Sequence, residues 1–261
     1  MSGYSLRGFT LIELVIVIVL LAIIGTFSFR FIGLGAQVYS DASAREQLVS
    51  QSRFALERLS RELRNALPNS IRTRNSGLCI DYLPIVTSGQ YLTLPGASGP
   101  TDSVSVVTPL QRPIPLAAST PRYFAAHVAD TSALYADAGP VVEATLSTTA
   151  NDFVSEFLFA TEQGFAERGP APRFYYVTAP VSWCLQAGEL KRMQWPDLST
   201  PPTTGTTMAT QLTNSSAEPL FQVEAPTLAR SNLVLIDFRF SRTDAAEPLS
   251  LLYEVHIPNV L

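Results

Sequence analysis

From residue 9 to residue 29 the chain is almost unbroken apolar sequence, Phe9-Thr10-Leu11-Ile12-Glu13-Leu14 running on through Val, Ile and Leu to Ile24. A helix needs about 20 such residues to cross the hydrocarbon core of a bilayer, so residues 9–29 predict a membrane-spanning helix. Past residue 30 the apolar positions thin out to a helical rhythm. Leu48, Ala55, Leu59, Leu63 and Ala66 line one face, with no proline before Pro68. The other faces carry Arg45, Glu46, Arg53, Glu57, Arg58, Arg61, Glu62 and Arg64, read as a solvated surface with Glu57 and Arg61 in the favourable i,i+4 order. Pro68 ends the helix, because a residue before proline avoids the α region. Residues 9–67 would then extend about 90 Å at the helical rise of 1.5 Å per residue. Gly25, Gly33 and Gly35 interrupt this helix, as tolerated weak points or as places of close approach and local unwinding.

After Pro68 the pattern becomes short runs separated by turn formers, which predicts strands over residues 78–83, 90–94, 103–107, 141–146, 153–159, 173–177, 181–185 and 190–195. The clearest pair lies near the end. Val234, Ile236, Phe238 and Phe240 alternate with Asp237 and Arg239, and Leu251, Tyr253, Val255 and Ile257 alternate with Glu254 and His256, joined by a polar connection over residues 241–248. Residues 198–219, rich in Ser, Thr and Pro, read as a loop or insertion. The expected fold is α+β: a long N-terminal helix packed through Leu59 and Leu63 on one antiparallel β-sheet body. The expected segments are a leader at 1–8, a transmembrane helix at 9–29, its amphipathic continuation at 30–67 and a β-rich periplasmic domain at 68–261.

Composition agrees with one sizeable body: 261 residues, 46% hydrophobic, with 19 prolines that suit short strands and irregular loops. The net charge of −4 leaves no excess of cations to neutralise phosphates, which argues against a nucleic-acid partner. Arg7 immediately before the apolar run favours a cytoplasmic N-terminus and an exported C-terminus. A secretory signal peptide is a poor fit, because its apolar stretch is shorter and is closed by a small-residue cleavage site.

Glu13 within the apolar run requires a partner, since a charged side chain in a spanning helix costs about 2.5–3.5 kcal/mol. Cleavage after Gly8 would create one, giving Phe9 a free α-amino group with a reference pKa near 8. At about 4 Å and an effective dielectric near 20 that attraction is about 4 kcal/mol before desolvation, and between neighbouring subunits it would set register more than stability.

The run Arg7-Gly8-Phe9-Thr10-Leu11-Ile12-Glu13-Leu14 resembles the processing and methylation motif of type IV prepilins. The resemblance implies cleavage between Gly8 and Phe9 by a prepilin peptidase, N-methylation of Phe9, and contact of Glu13 with the N-terminus of an adjacent subunit. It implies the pilin ladle as the fold, other pilins and an inner-membrane assembly machinery as partners, and incorporation into a pilus. Further along, residues 53–70, Cys79-Ile80-Asp81-Tyr82-Leu83-Pro84 and Val181-Ser182-Trp183-Cys184-Leu185 resemble the MshO-type minor pilins of mannose-sensitive haemagglutinin pili. On that basis the expected role is a minor pilin that helps to initiate or cap such a pilus. The rivals are a type II secretion pseudopilin, which shares the N-terminal features, and a pilus-tip adhesin.

Cys79 and Cys184 are the only cysteines, and on the exported side they are expected to form a disulfide worth about 2–4 kcal/mol. Their separation does not suit a zinc site, and no metal or cofactor is expected. No phosphate-cradling, metalloprotease or nucleophile-elbow motif occurs, and His127 and His256 have no evident partner, so no enzyme is expected. Asp81, Asp152 and Glu156 are acidic but lack calcium-loop spacing. Asn214-Ser215-Ser216 fits a glycosylation acceptor pattern.

Overall fold

The computed structural model describes residues 9–109, 121–128, 131–135, 140–147, 153–165, 169–224, 232–240 and 249–257. The leader at 1–8, with Arg7 and Gly8, the connection at 241–248 and Asp152 lie outside the described residues. The chain divides into two units, Met1–Ser50 and Gln51–Leu261.

Helix α1 runs Leu11–Arg64. Thr10 caps its start: the Thr10 Oγ1 accepts the Glu13 backbone N–H at 3.3 Å, satisfying one of the donors a helix N-terminus leaves open. From residue 9 to residue 39 the large apolar side chains face outward, Phe9, Leu11, Phe27, Phe31, Ile32, Leu34 and Tyr39 among them.

In the second unit burial along α1 falls on Ala55, Leu59 and Leu63 of the expected stripe and on Ser52, Leu56 and Ser60 beside them. The helix ends at Arg64, three residues short of the expected 67. Residues 65–67 are drawn into sheet-like pairing instead, with the Ile85 amide donating to Asn65 O at 3.0 Å and the Leu67 amide to Leu83 O at 2.8 Å.

The described strands are β1 (Arg72–Arg74), β2 (Cys79–Tyr82), β3 (Ile85–Gln90), β4 (Thr101–Val107), β5 (Arg122–Ala125), β6 (Val141–Ser147), β7 (Val154–Gln163), β8 (Arg173–Thr178), β9 (Val181–Gln186), β10 (Glu189–Gln194), β11 (Thr206–Ala209), β12 (Phe221–Glu224), β13 (Asn232–Phe240) and β14 (Leu249–Ile257). They pair antiparallel in three sheets, ordered β1-β2-β9-β10-β11, β3-β8-β5-β6-β7-β4 and β12-β13-β14, where one had been expected. In the six-stranded sheet the chain beyond β3 returns to β4, with Tyr91 bridging Val106 and the Leu92 amide donating to Ser105 O at 2.8 Å, which brings the two sheet edges together. Inside lies a cluster of rings: Phe124 has Phe157, Phe159, Phe165 and Phe174 at centroid distances of 5.1, 5.8, 5.6 and 5.7 Å.

The strand expected at 90–94 is displaced to Ile85–Gln90. Thr87-Ser88-Gly89 has the composition of a turn, yet Gly89 pairs with Phe174, whose ring comes within 2.9 Å of where a Cβ would stand. The glycine makes room for the ring. The β1–β2 connection uses Asn75, Ser76 and Gly77 at φ of 51°, 53° and 79°, and a Cβ on Gly77 would meet Phe221 O at 2.6 Å. The Ser/Thr/Pro-rich stretch read as a loop contains β11.

Candidate functional site

The chemistry-bearing residues fall into an N-terminal set and two polar clusters in the body. At the N-terminus Phe9 is 82% exposed and Glu13 lies on the open surface of α1. Glu13 is the one charged side chain in residues 9–29, and the helix here is long and apolar enough to cross a membrane. Thr10 and Glu13 have the Thr-x-x-Glu spacing of a capping box, so the residue expected to meet a neighbouring N-terminus also stands in the capped first turn. The Thr10 cap was legible in the sequence but was not drawn from it.

The first body cluster centres on Glu62. It was grouped with the solvated charges, and the structure corrects that: Glu62 faces β2, β9 and β10. Its carboxylate accepts Arg192 Nε at 2.9 and 3.0 Å, Trp183 Nε1 at 3.1 Å, Arg58 Nε at 3.0 Å and the Tyr82 hydroxyl. Arg58 and Glu62 form an i,i+4 ion pair on this helix. Burial pushes the Glu62 carboxyl up, but the Tyr82 hydrogen bond, the Arg192 charge and the remaining donors outweigh it and hold the group below its ordinary value. The Tyr82 hydroxyl moves well above its usual range, first through burial and then through the Glu62 charge. These bonds clamp the end of α1 to the five-stranded sheet beside Leu59 and Leu63.

The second cluster surrounds Asp81, which is fully buried. Arg72 Nε reaches its carboxylate at 3.2 Å, Arg74 binds both oxygens, and the Ser182 hydroxyl donates to it. Trp195 Nε1 donates to Ser182 Oγ at 2.6 Å, and the Arg72 guanidinium lies 3.5 Å from the centre of the Tyr135 ring. Asp81 is thus committed to arginines and not available as a calcium ligand. Glu156 stands apart on β7, opposite Ser105 and Ser147. Among the described residues no group of three His, Cys, Asp or Glu side chains is placed to hold a metal ion.

Cys79 and Cys184 are joined by a disulfide, 105 residues apart in sequence and directly opposite each other on β2 and β9, with Met193 packed against them. His256 is exposed on β14, and His127 lines a small apolar pocket with Pro68, Val128, Pro170 and Tyr175. Asn214 is buried. Its amide donates to Glu218 O and Asp237 O at 3.2 and 2.8 Å and its carbonyl accepts the Arg239 amide at 3.0 Å, so this acceptor-like sequon serves as a structural pin.

Compared with known protein families, the chain matches the Prokaryotic N-terminal methylation motif over residues 6–29. No curated protein and no solved structure matches it. The matched segment is a type IV prepilin-like signal, and with the apolar helix that follows it fits a membrane-anchored pilin-like or pseudopilin-like protein. The motif implies processing by a prepilin peptidase in a pilus-assembly context.

Proposed function

We propose that the chain is a minor pilin of a type IV pilus of the mannose-sensitive haemagglutinin kind, a structural subunit that takes part in initiating or capping the filament and performs no chemistry itself. The observation carrying this reading is the juxtaposition of the methylation motif at residues 6–29 with an apolar helix whose single charged side chain over residues 9–29 is Glu13. In this reading the peptidase cuts between Gly8 and Phe9, Phe9 is methylated, and Glu13 meets the N-terminal cation of an adjacent subunit within the apolar phase, fixing register. The exported body, carrying the Cys79–Cys184 disulfide, stands in the periplasm and then on the filament. The Glu62 cluster clamps the body to the end of α1 and the Asp81 cluster ties β1, β2 and β9 together, so both carboxylates are engaged in holding the fold.

A type II secretion pseudopilin would use the same N-terminus. Deleting the gene in its host distinguishes the two. Loss of surface pili with secretion of exoproteins intact supports the minor pilin; loss of secretion with pili retained identifies the pseudopilin. Pili of normal number that no longer adhere would instead identify a tip adhesin.

A further inference from the structure

β14 is the outer strand of the three-stranded sheet, and its free side has the chemistry of a pairing surface. In β13 the odd-numbered residues turn their amides toward β12: Asp237 N donates to Leu220 O at 3.0 Å, and Thr213 N to Arg239 O at 2.8 Å. The even-numbered residues therefore bond β14, in the register Val234–Val255, Ile236–Tyr253, Phe238–Leu251 and Phe240–Leu249. It follows that Ser250, Leu252, Glu254 and His256 point N–H and C=O outward, and among the described residues nothing pairs with them.

Natural sheets guard such an edge with prolines, lysines, bulges or short strands. β14 is nine residues long, pairs with β13 without a register shift, and contains neither proline nor lysine. Leu252 is 67% exposed and Tyr253 40% exposed at the middle of this edge.

We infer that β14 is an interaction surface for a second copy of this chain, the two β14 strands pairing antiparallel about Tyr253. The sequence of β14 complements itself in that register. On the core-facing side Leu249 meets Ile257 of the partner subunit, Leu251 meets Val255 of the partner subunit, and the two Tyr253 rings meet each other. On the outer side Leu252 lies over the stem of Glu254 of the partner subunit and Ser250 beside His256 of the partner subunit. The contact is isologous, so one strand supplies both halves of the interface. Anchoring in one membrane raises the effective concentration of the two copies, so a short edge contact suffices. The inference rests on the sheet edge and on the membrane anchor of the proposed function, which a pilin and a pseudopilin share.

Cysteine scanning of the full-length, membrane-embedded chain tests it, with no free thiol among the described residues to interfere. In this register Tyr253 faces its own copy as a non-hydrogen-bonded pair, at a Cα separation of about 4.5 Å that a disulfide spans. The two Ser250 residues stand about 20 Å apart along the strands. Mild oxidation is expected to give a disulfide-linked dimer of twice the chain mass for Tyr253→Cys and none for Ser250→Cys. Glu254→Pro in the Tyr253→Cys background should abolish the dimer while leaving the fold intact, because the removed N–H faces outward; should that variant unfold, Leu252→Lys decides the same point. A monomeric Tyr253→Cys, equal cross-linking from Ser250→Cys, dimer persisting in the folded edge variants, or an adduct of any other mass overturns the proposal, the last by assigning the edge to a different subunit.

Discussion

Glu62 shows how much of this body depends on single polar groups. Four donors converge on one carboxylate that is 21% exposed, so Glu62→Ala removes the acceptor of Arg192 and Tyr82, leaves Trp183 only the Tyr82 hydroxyl, and should cost about 2 kcal/mol. Thermal unfolding of the detergent-solubilised chain measures it. Because the folded-state pKa is lowered, the stabilisation is fully present above the ordinary value of 4.5 and is lost as pH falls through the folded value. The stability gap between wild type and Glu62→Gln should therefore be constant above the ordinary value of 4.5 and close as the pH falls below it, and a gap that widens on acidification contradicts the clamp. Asp81→Asn is the harsher change: it strands two partly buried arginines against an uncharged amide in a fully buried position, at about 3–5 kcal/mol. Neither role was legible in the sequence. Charges at helical spacing look alike whether they meet water or a sheet, and only the facing Tyr82, Trp183 and Arg192, brought in from far along the chain, distinguish Glu62 from Glu57.

At the scale of elements, periodicity located much and partnered little. The apolar run, the Leu59 and Leu63 stripe and the alternation of β13 and β14 were legible, because each is written in local spacing. The β2–β9 pairing joins residues separated by 105 positions, and it was legible only through the expected Cys79–Cys184 disulfide, since no local pattern specifies such a partner. Hence one expected sheet became three. β5 went unread because Arg122–Ala125 is too short to show alternation, although its Phe124 is the centre of the ring cluster. Phe124→Ala should accordingly cost about 3–5 kcal/mol. Replacing Cys79 and Cys184 together by serine should cost about 2–4 kcal/mol, since the crosslink closes a long loop in the unfolded chain. Urea midpoints of the solubilised variants check both; a Phe124→Ala midpoint equal to wild type would contradict the placement of that ring in the core.

For the molecule as a whole, the N-terminal helix and the β body answer different demands. Residues 9–29 display apolar side chains on every side, which suits lipid or other helices and not water. The body hides its rings inside sheets and is tied to the end of α1 by Leu59, Leu63 and Glu62. In the proposed role the link between the two demands is proteolysis: removal of the leader would supply the cation that makes Glu13 tolerable in an apolar phase. The most direct test is the intact mass of the chain extracted from membranes of its host, with and without the prepilin peptidase. The expected result is loss of residues 1–8 and addition of one methyl group to Phe9 only when the peptidase is present. An uncleaved N-terminus in the host, or a cut beyond the apolar run, would contradict the assembly role.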